Sequence, residues 1–386
     1  MPKSRKRRPK PSRPVPGSRA FQRDLARLRA TDDAELRGDA LEALQIMEDN
    51  PGDGRFWRPW RVRRLVELAV FGPVLPAWAT SRWILAQALQ QLPDTPIVHH
   101  RVSRALATAI DLRGGPDGLP GVDPLDARSR VVDHDWAYRQ LYLYDLGGLR
   151  HFLDRVAPAD LVAGADRIRD WAAAPMGGYR LVARDAGTVS WQDLADNETV
   201  RTANIGTAAL VVPGECVIGR LVPIEGGVMF ECAPLVVPEP VAEEVALDPP
   251  SWVDALRSAP GAELIKSGDV HGLLSDLPMG VWIYAVFGAA GLTLEPVPTD
   301  QQQASAVLEV ARLVLDDACS PPFDEADDID PWPCLGAALL CPLIYAALGD
   351  TLRSEDRAVL ARLGDVLAEP AASVCRELAE AVGDAA

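Results

Sequence analysis

Between Arg55 and Arg64 the chain reads RFWRPWRVRR, with Arg55, Arg58, Arg61, Arg63 and Arg64 interleaved with Phe56, Trp57 and Trp60. Guanidinium planes stack on indole faces and pair with phosphates, so this stretch has the chemistry to grip phosphates or unstacked bases. Arg55, Trp57, Arg58, Trp60, Arg61 and Arg64 are therefore the candidate nucleic-acid-binding residues. The competing reading is a helix start whose tryptophans anchor in a core. The arginine stems would then cover them and pair with nearby acids such as Asp49 or Asp53. The spacing matches no nucleic-acid motif, which favours packing.

A second cluster is built from histidines. His99, His100, His134 and Asp135 are similar in type to the donors of the metal-dependent HD phosphohydrolases, which use a His, a later His-Asp pair and a distant Asp. Neutral imidazoles and carboxylates suit a divalent metal doing hydrolysis. The surroundings depart from that family. The segment PIVHHRVS follows a Pro-containing turn, and VVDHDWAYR lacks the usual apolar helix leading into the pair. Surface or capping roles are the alternative.

Other chemistry is thin. The acidic stretch 316–330 offers carboxylate oxygens for calcium but has neither the glycine of a sharp turn nor a closing glutamate, so a solvated linker is expected. The six cysteines, Cys216, Cys232, Cys319, Cys334, Cys341 and Cys375, include no CxxC pair and have no nearby histidine, which argues against zinc. No phosphate-cradling glycine loop, nucleophile elbow or dinucleotide fingerprint is present. No cofactor is implied, and an enzyme is disfavoured.

Charge is unevenly placed over the 386 residues. The first 19 carry Lys3, Arg5, Lys6, Arg7, Arg8, Lys10, Arg13 and Arg19 and no acid. The rest has 31 basic residues against 55 acidic ones, a body near −24 behind a basic tail. Such a body repels nucleic acid, while the tail attracts it. Lysine occurs only at Lys3, Lys6, Lys10 and Lys266, a composition that points to a GC-rich bacterial genome. The start lacks the apolar segment of a secretory signal, so cytoplasmic residence with reduced thiols is expected. Two uncharged runs, Leu277 to Leu294 and Pro331 to Gly349, are near the shortest span of a bilayer. Their prolines and glycines and their acidic flanks favour buried core segments instead.

The elements that would position these residues are mostly helical. Residues 1–17 read as a disordered tail and Ser18 as an N-cap. Residues 31–49 read as one helix with Leu36, Ala40, Leu41, Leu44 and Met47 on a face. Further helices follow to about residue 175, interrupted by a Gly- and Pro-rich linker at 111–124. Beyond Pro240 the chain is helical again, with Thr299 and Gln302 as a capping box and Pro370 separating the last two helices. Between them, residues 177–240 are rich in Val, Ile and Thr. They are punctuated by the turn signals Asp185–Gly187, Asp196-Asn197, Pro213-Gly214 and Glu225–Gly227. Five or six short strands are expected there, closed into a small barrel so that no edge is exposed. Gly219 would mark a bend, and Trp191 and Phe230 its core.

This module, GECVIGRLVPIEGGVMFE preceded by VSWQDLADNETV, resembles a small β module in uncharacterised actinobacterial proteins, some of which carry a C-terminal SEC-C zinc motif. The likeness covers residues 188–232, and the zinc cysteines have no counterpart here. It implies a strand-rich module with a binding role and no activity. Residues 178–240 hold four arginines against eight acids, a poor phosphate-binding surface. The expected fold is thus α+β, mainly α. Its parts are a tail (1–17), an N-terminal helical domain (18–175), an inserted antiparallel barrel (177–240) and a C-terminal helical domain (241–386). The function favoured is a non-enzymatic interaction or scaffold protein with a protein partner and no membrane. The alternatives are a nucleic-acid-associated factor and, more weakly, the phosphohydrolase.

Overall fold

A computed structural model describes residues 19–49, 57–115, 124–258, 271–316 and 329–384. The basic tail, Ser18, Arg55, Phe56, Cys319, residues 116–123 of the linker and most of the acidic stretch lie outside the described residues. The fold is α+β and mainly α, with helices on both sides of a central β region.

The N-terminal α-helices are α1 (Arg19–Leu36), α2 (Ala40–Glu48), α3 (Pro59–Phe71), α4 (Ala77–Gln90), α5 (Pro96–Leu112), α6 (Pro124–His134), α7 (Trp136–Gln140), α8 (Gly148–Arg155), α9 (Ala159–Ala163) and α10 (Ile168–Trp171) among the described residues. The single helix expected over 31–49 is two. Gly38 takes a left-handed φ of 76°, and Asp39 caps α2 by accepting from the Glu42 amide. A glycine adopts that φ without strain, so the chain turns there, and Leu41 ends 67% exposed instead of joining an apolar face. Helix α4 is buried along nearly its whole length, from Trp78 to Ala88, as the central helix of a packed bundle must be.

Seven strands follow: β1 (Gly177–Arg184), β2 (Thr188–Asp193), β3 (Thr199–Ala203), β4 (Cys216–Gly219), β5 (Leu221–Ile224), β6 (Gly227–Phe230) and β7 (Leu235–Val237). They do not close into a barrel. They form an antiparallel sheet in the order β3-β2-β1-β4-β7 and a separate β5-β6 hairpin. The β3 edge is covered without closure, and so is one face of the sheet. The hairpin strand β6 packs beside β3, and the helix Glu239–Leu247, which follows β7, packs across β1 and β4. That helix comes so close that a Cβ on Gly178 would lie 1.9 Å from the Ala242 carbonyl oxygen. The turn signals hold their places: Asp185 accepts from the Gly187 and Thr188 amides, Asn197 is left-handed, and the β5-β6 turn has Gly227 at positive φ. Gly219 ends β4 against the Phe230 ring, and the irregularity in the sheet falls in β1 between Leu181 and Ala183. Trp191 and Phe230 are buried and meet edge to face at 5.3 Å, in a small core of their own.

The larger core is continuous from Ala34 to Ala379 and takes in Cys216, Ile218, Val222 and Met229 of the strands. The capping box at Thr299 and Gln302 forms as expected. Of the two uncharged runs, the first gives helix Met279–Ala289, which buries Trp282, Val286 and Phe287 but leaves Tyr284 70% exposed. The second gives two helices, Pro331–Leu339 and Pro342–Thr351, bent by 79°. Among the described residues no single helix is long and apolar enough to cross a membrane, although that bent pair passes by length and composition taken together.

Candidate anion-binding site

Arg61 and Arg64 are three residues apart on α3, so they share one helical face, and that face is turned inward. Both are 3% exposed. Each lies over a tryptophan four residues earlier: Arg61 is 5.9 Å from the Trp57 ring centre and Arg64 is 5.2 Å from that of Trp60. Arg58, at the α3 start, stays at the surface and pairs with Asp133 at 3.0 Å. Among the described residues the acids that meet this segment include Asp32, Glu35 and Asp133, brought in from α1 and α6, and Glu67, which pairs with Arg63 along α3; Asp53 lies outside the described residues.

Burying a guanidinium requires a carboxylate and a full set of hydrogen bonds. The described residues include five buried arginines: Arg61, Arg64, Arg82, Arg139 and Arg220. Four have a carboxylate. Arg61 donates from Nε to Glu35 Oε1 and from Nη2 to Asp32 Oδ1, each at 2.6 Å. Arg82 donates to Asp276 Oδ2 at 3.0 Å and to the Phe230 carbonyl at 2.9 Å. Arg139 donates to Glu231 Oε2 at 2.8 Å. Arg220 pairs with Asp145, lies 4.6 Å from the Tyr144 ring centre and donates to the Ala174 carbonyl at 2.7 Å.

Arg64 is the exception. Among the described residues it makes no salt bridge, and its Nη1 is sealed from water with no acceptor. Glu35 is near enough to favour its charge, but the glutamate oxygens are engaged: Oε1 by Arg61 and Gln90, Oε2 by the Trp83 indole at 3.0 Å. Burial pushes the Arg64 guanidinium down to about 10, and the charges of Arg139 and Arg61 push the same way against Glu35 and Glu67. At neutral pH it remains a cation.

Arg64 lines a cavity of about 310 Å³. Trp57, Trp60 and His271 supply its aromatic wall, and Leu28, Leu89 and Val132 its aliphatic part. The His271 ring lies flat on Trp60, with centroids 4.5 Å apart and planes 2° apart, and its Nε2 is 3.1 Å from Nδ1 of His134. Burial raises the carboxyls of Asp32 and Asp133 in this neighbourhood, ahead of the opposing pull of Arg61 and Arg58 respectively.

The structure distributes the sequence candidates as follows. Trp57, Arg58, Trp60, Arg61 and Arg64 converge on the cavity, with Arg61 and Arg64 facing inward. His99 and His100 sit exposed on α5, where His99 pairs with Asp94 at 3.1 Å. Asp135 is the N-cap of α7, accepting from the Tyr138 amide at 2.7 Å, and pairs with Arg113. Among the described residues no group of three or more His, Cys, Asp or Glu side chains is arranged to hold a metal ion. The five described cysteines are free thiols. Glu35, Arg139 and His271 were not marked by any sequence pattern. The nearest signal was the Asp32–Glu35 spacing, which puts two acids on one face of α1.

The chain matches no protein-family model, and no curated protein or solved structure is significantly similar to it.

Proposed function

We propose that the chain is a non-enzymatic binding protein, and that its receptor is the Arg64 cavity, which takes an anionic group from its partner. The observation that carries this reading is the mismatch at Arg64. Four buried arginines have carboxylates supplied by the chain, and the fifth has an indole face and an empty space. An uncompensated buried cation is costly, and a bound anion removes that cost. The inward turn of Arg61 and Arg64 favours a small ligand over a polymer, because a nucleic-acid backbone must be met by cations at the surface. A thermal-shift series on the full chain, with carboxylates, sulfonates and phosphates, tests the reading. At least one anion is expected to raise the melting temperature of the wild type but not of Arg64→Met. An equal response of both proteins to every anion refutes it.

A further inference from the structure

We infer that the ligand of the Arg64 cavity is a small apolar monocarboxylate: one carboxylate on a body of one or two rings. The inference rests on the reading of this cavity as an anion site and adds the class of anion. It follows from charge, lining and size.

Among the described residues, Arg64 is the one lining arginine without a carboxylate partner. Arg61, Arg139 and Arg58 also line it, but each already has a carboxylate partner in Glu35 with Asp32, Glu231 and Asp133 respectively. A phosphate monoester would bring close to two negative charges against one open guanidinium and leave charge buried without a partner. A carboxylate brings one, which matches the single charge of the guanidinium.

The remaining wall fits an apolar body. Trp57, Trp60, Leu28, Leu89, Leu92 and Val132 present rings and methyl groups, and the flat Trp60–His271 stack extends the aromatic surface beside Arg64. Besides the arginines, the polar side chains among the described lining residues are Gln90, Asp133 and His271, too few to partner the hydroxyls of a sugar or polyol, most of which would face rings and methyl groups. The volume of 310 Å³ is about twice the ~150 Å³ cavity that takes benzene. That corresponds to an indole, a naphthalene or a phenyl ring with a short chain, with the carboxylate at the arginine end.

Calorimetric titration of the full-length protein tests this with indole-3-acetate, 3-phenylpropanoate and 2-naphthoate, each beside its primary amide, and with inorganic phosphate and AMP. The carboxylates are expected to bind, and the amides to bind about 30-fold more weakly or worse, the loss that removing a charged hydrogen-bonded pair brings. Arg64→Met is expected to lose the preference for carboxylate over amide, and Arg64→Lys to keep part of it. Circular dichroism confirms that each variant is folded. If AMP or phosphate binds through Arg64 and the carboxylates do not, the ligand class is overturned while the anion site stands. If the carboxylates bind wild type and Arg64→Met equally, or amides bind as well as acids, both the class and the anion site are overturned. If no carboxylate binds at millimolar concentration, the class is overturned.

Discussion

Replacing Arg64 with methionine is expected to make the unliganded protein more stable. Burial holds the Arg64 guanidinium at about 10, well below its ordinary value. At roughly 1.4 kcal/mol per tenfold, that depression is a penalty of about 3 kcal/mol for carrying the charge into the core. A cation whose folded value is depressed is penalised at every pH below that value. The penalty fades only as pH rises above about 10 towards the ordinary arginine value, so it is fully present at pH 7. Methionine removes it, loses a cation–π contact worth about 1 kcal/mol with Trp60, and leaves some volume unfilled. The net gain is about 1–3 kcal/mol, a rise of a few degrees in melting temperature for a chain of this size. Arg61→Met, one turn away, is expected to do the opposite. It leaves Glu35 and Asp32 without their arginine and should cost about 3–5 kcal/mol. Scanning calorimetry and urea titration at pH 7 give both signs. An Arg64→Met protein less stable than wild type by about 2 kcal/mol would refute the reasoning, because it would mean that Arg64 is already satisfied without ligand.

Three further outcomes follow from the structure. Burial raises the Glu231 carboxyl, but the charge of Arg139 and the bonds from Arg139, Cys232 and Gln140 outweigh it and hold the group below its ordinary 4.5. A depressed carboxyl stabilises the fold fully above 4.5 and loses that contribution as pH falls below it. Glu231→Gln should therefore cost about 3–5 kcal/mol at pH 7 and flatten the acid limb of a stability–pH profile. Gly178→Ala should cost about 3 kcal/mol or more in a urea titration, since the new Cβ meets the Ala242 carbonyl, while Gly226→Ala, which meets nothing within 4 Å, should be close to neutral. Deleting residues 1–17 should abolish any retention on DNA or RNA columns, because the remaining body is strongly acidic; retention that survives and is lost on Arg58→Ala would place a polyanion site on α3.

What could be read from the sequence was local. Turns at Asp185–Gly187 and Glu225–Gly227, the capping box at Thr299 and the burial of Trp191 all depend on residues close in the chain, and the pattern there carries the physics. Barrel closure could not be read in this way, because it depends on what covers a sheet edge. Here the β5-β6 hairpin covers the β3 edge, and a helix whose approach is permitted by a single glycine, Gly178, covers the sheet face at β1 and β4. The Trp–Arg segment was visible as chemistry but not as geometry. Its partners Asp32 and Glu35 lie 29 and 26 residues before Arg61, and His271 joins from beyond the strands. Composition does not say which of two alternating faces of α3 turns inward, and the same arginines read as a surface patch or as a buried receptor until the fold decides.

The most direct measurement of the central claim is the arginine Nε–H region of a ¹H–¹⁵N spectrum of the full-length protein, with the Arg64 resonance assigned by its absence in Arg64→Lys. Titration with indole-3-acetate is expected to move that resonance saturably, with indole-3-acetamide leaving it in place, and the resonances of Arg82 and Arg220 unmoved, since both already have carboxylates. An Arg64 resonance that stays fixed while indole-3-acetate binds elsewhere, or that moves equally with the amide, would contradict the assignment of this arginine as the receptor for a carboxylate.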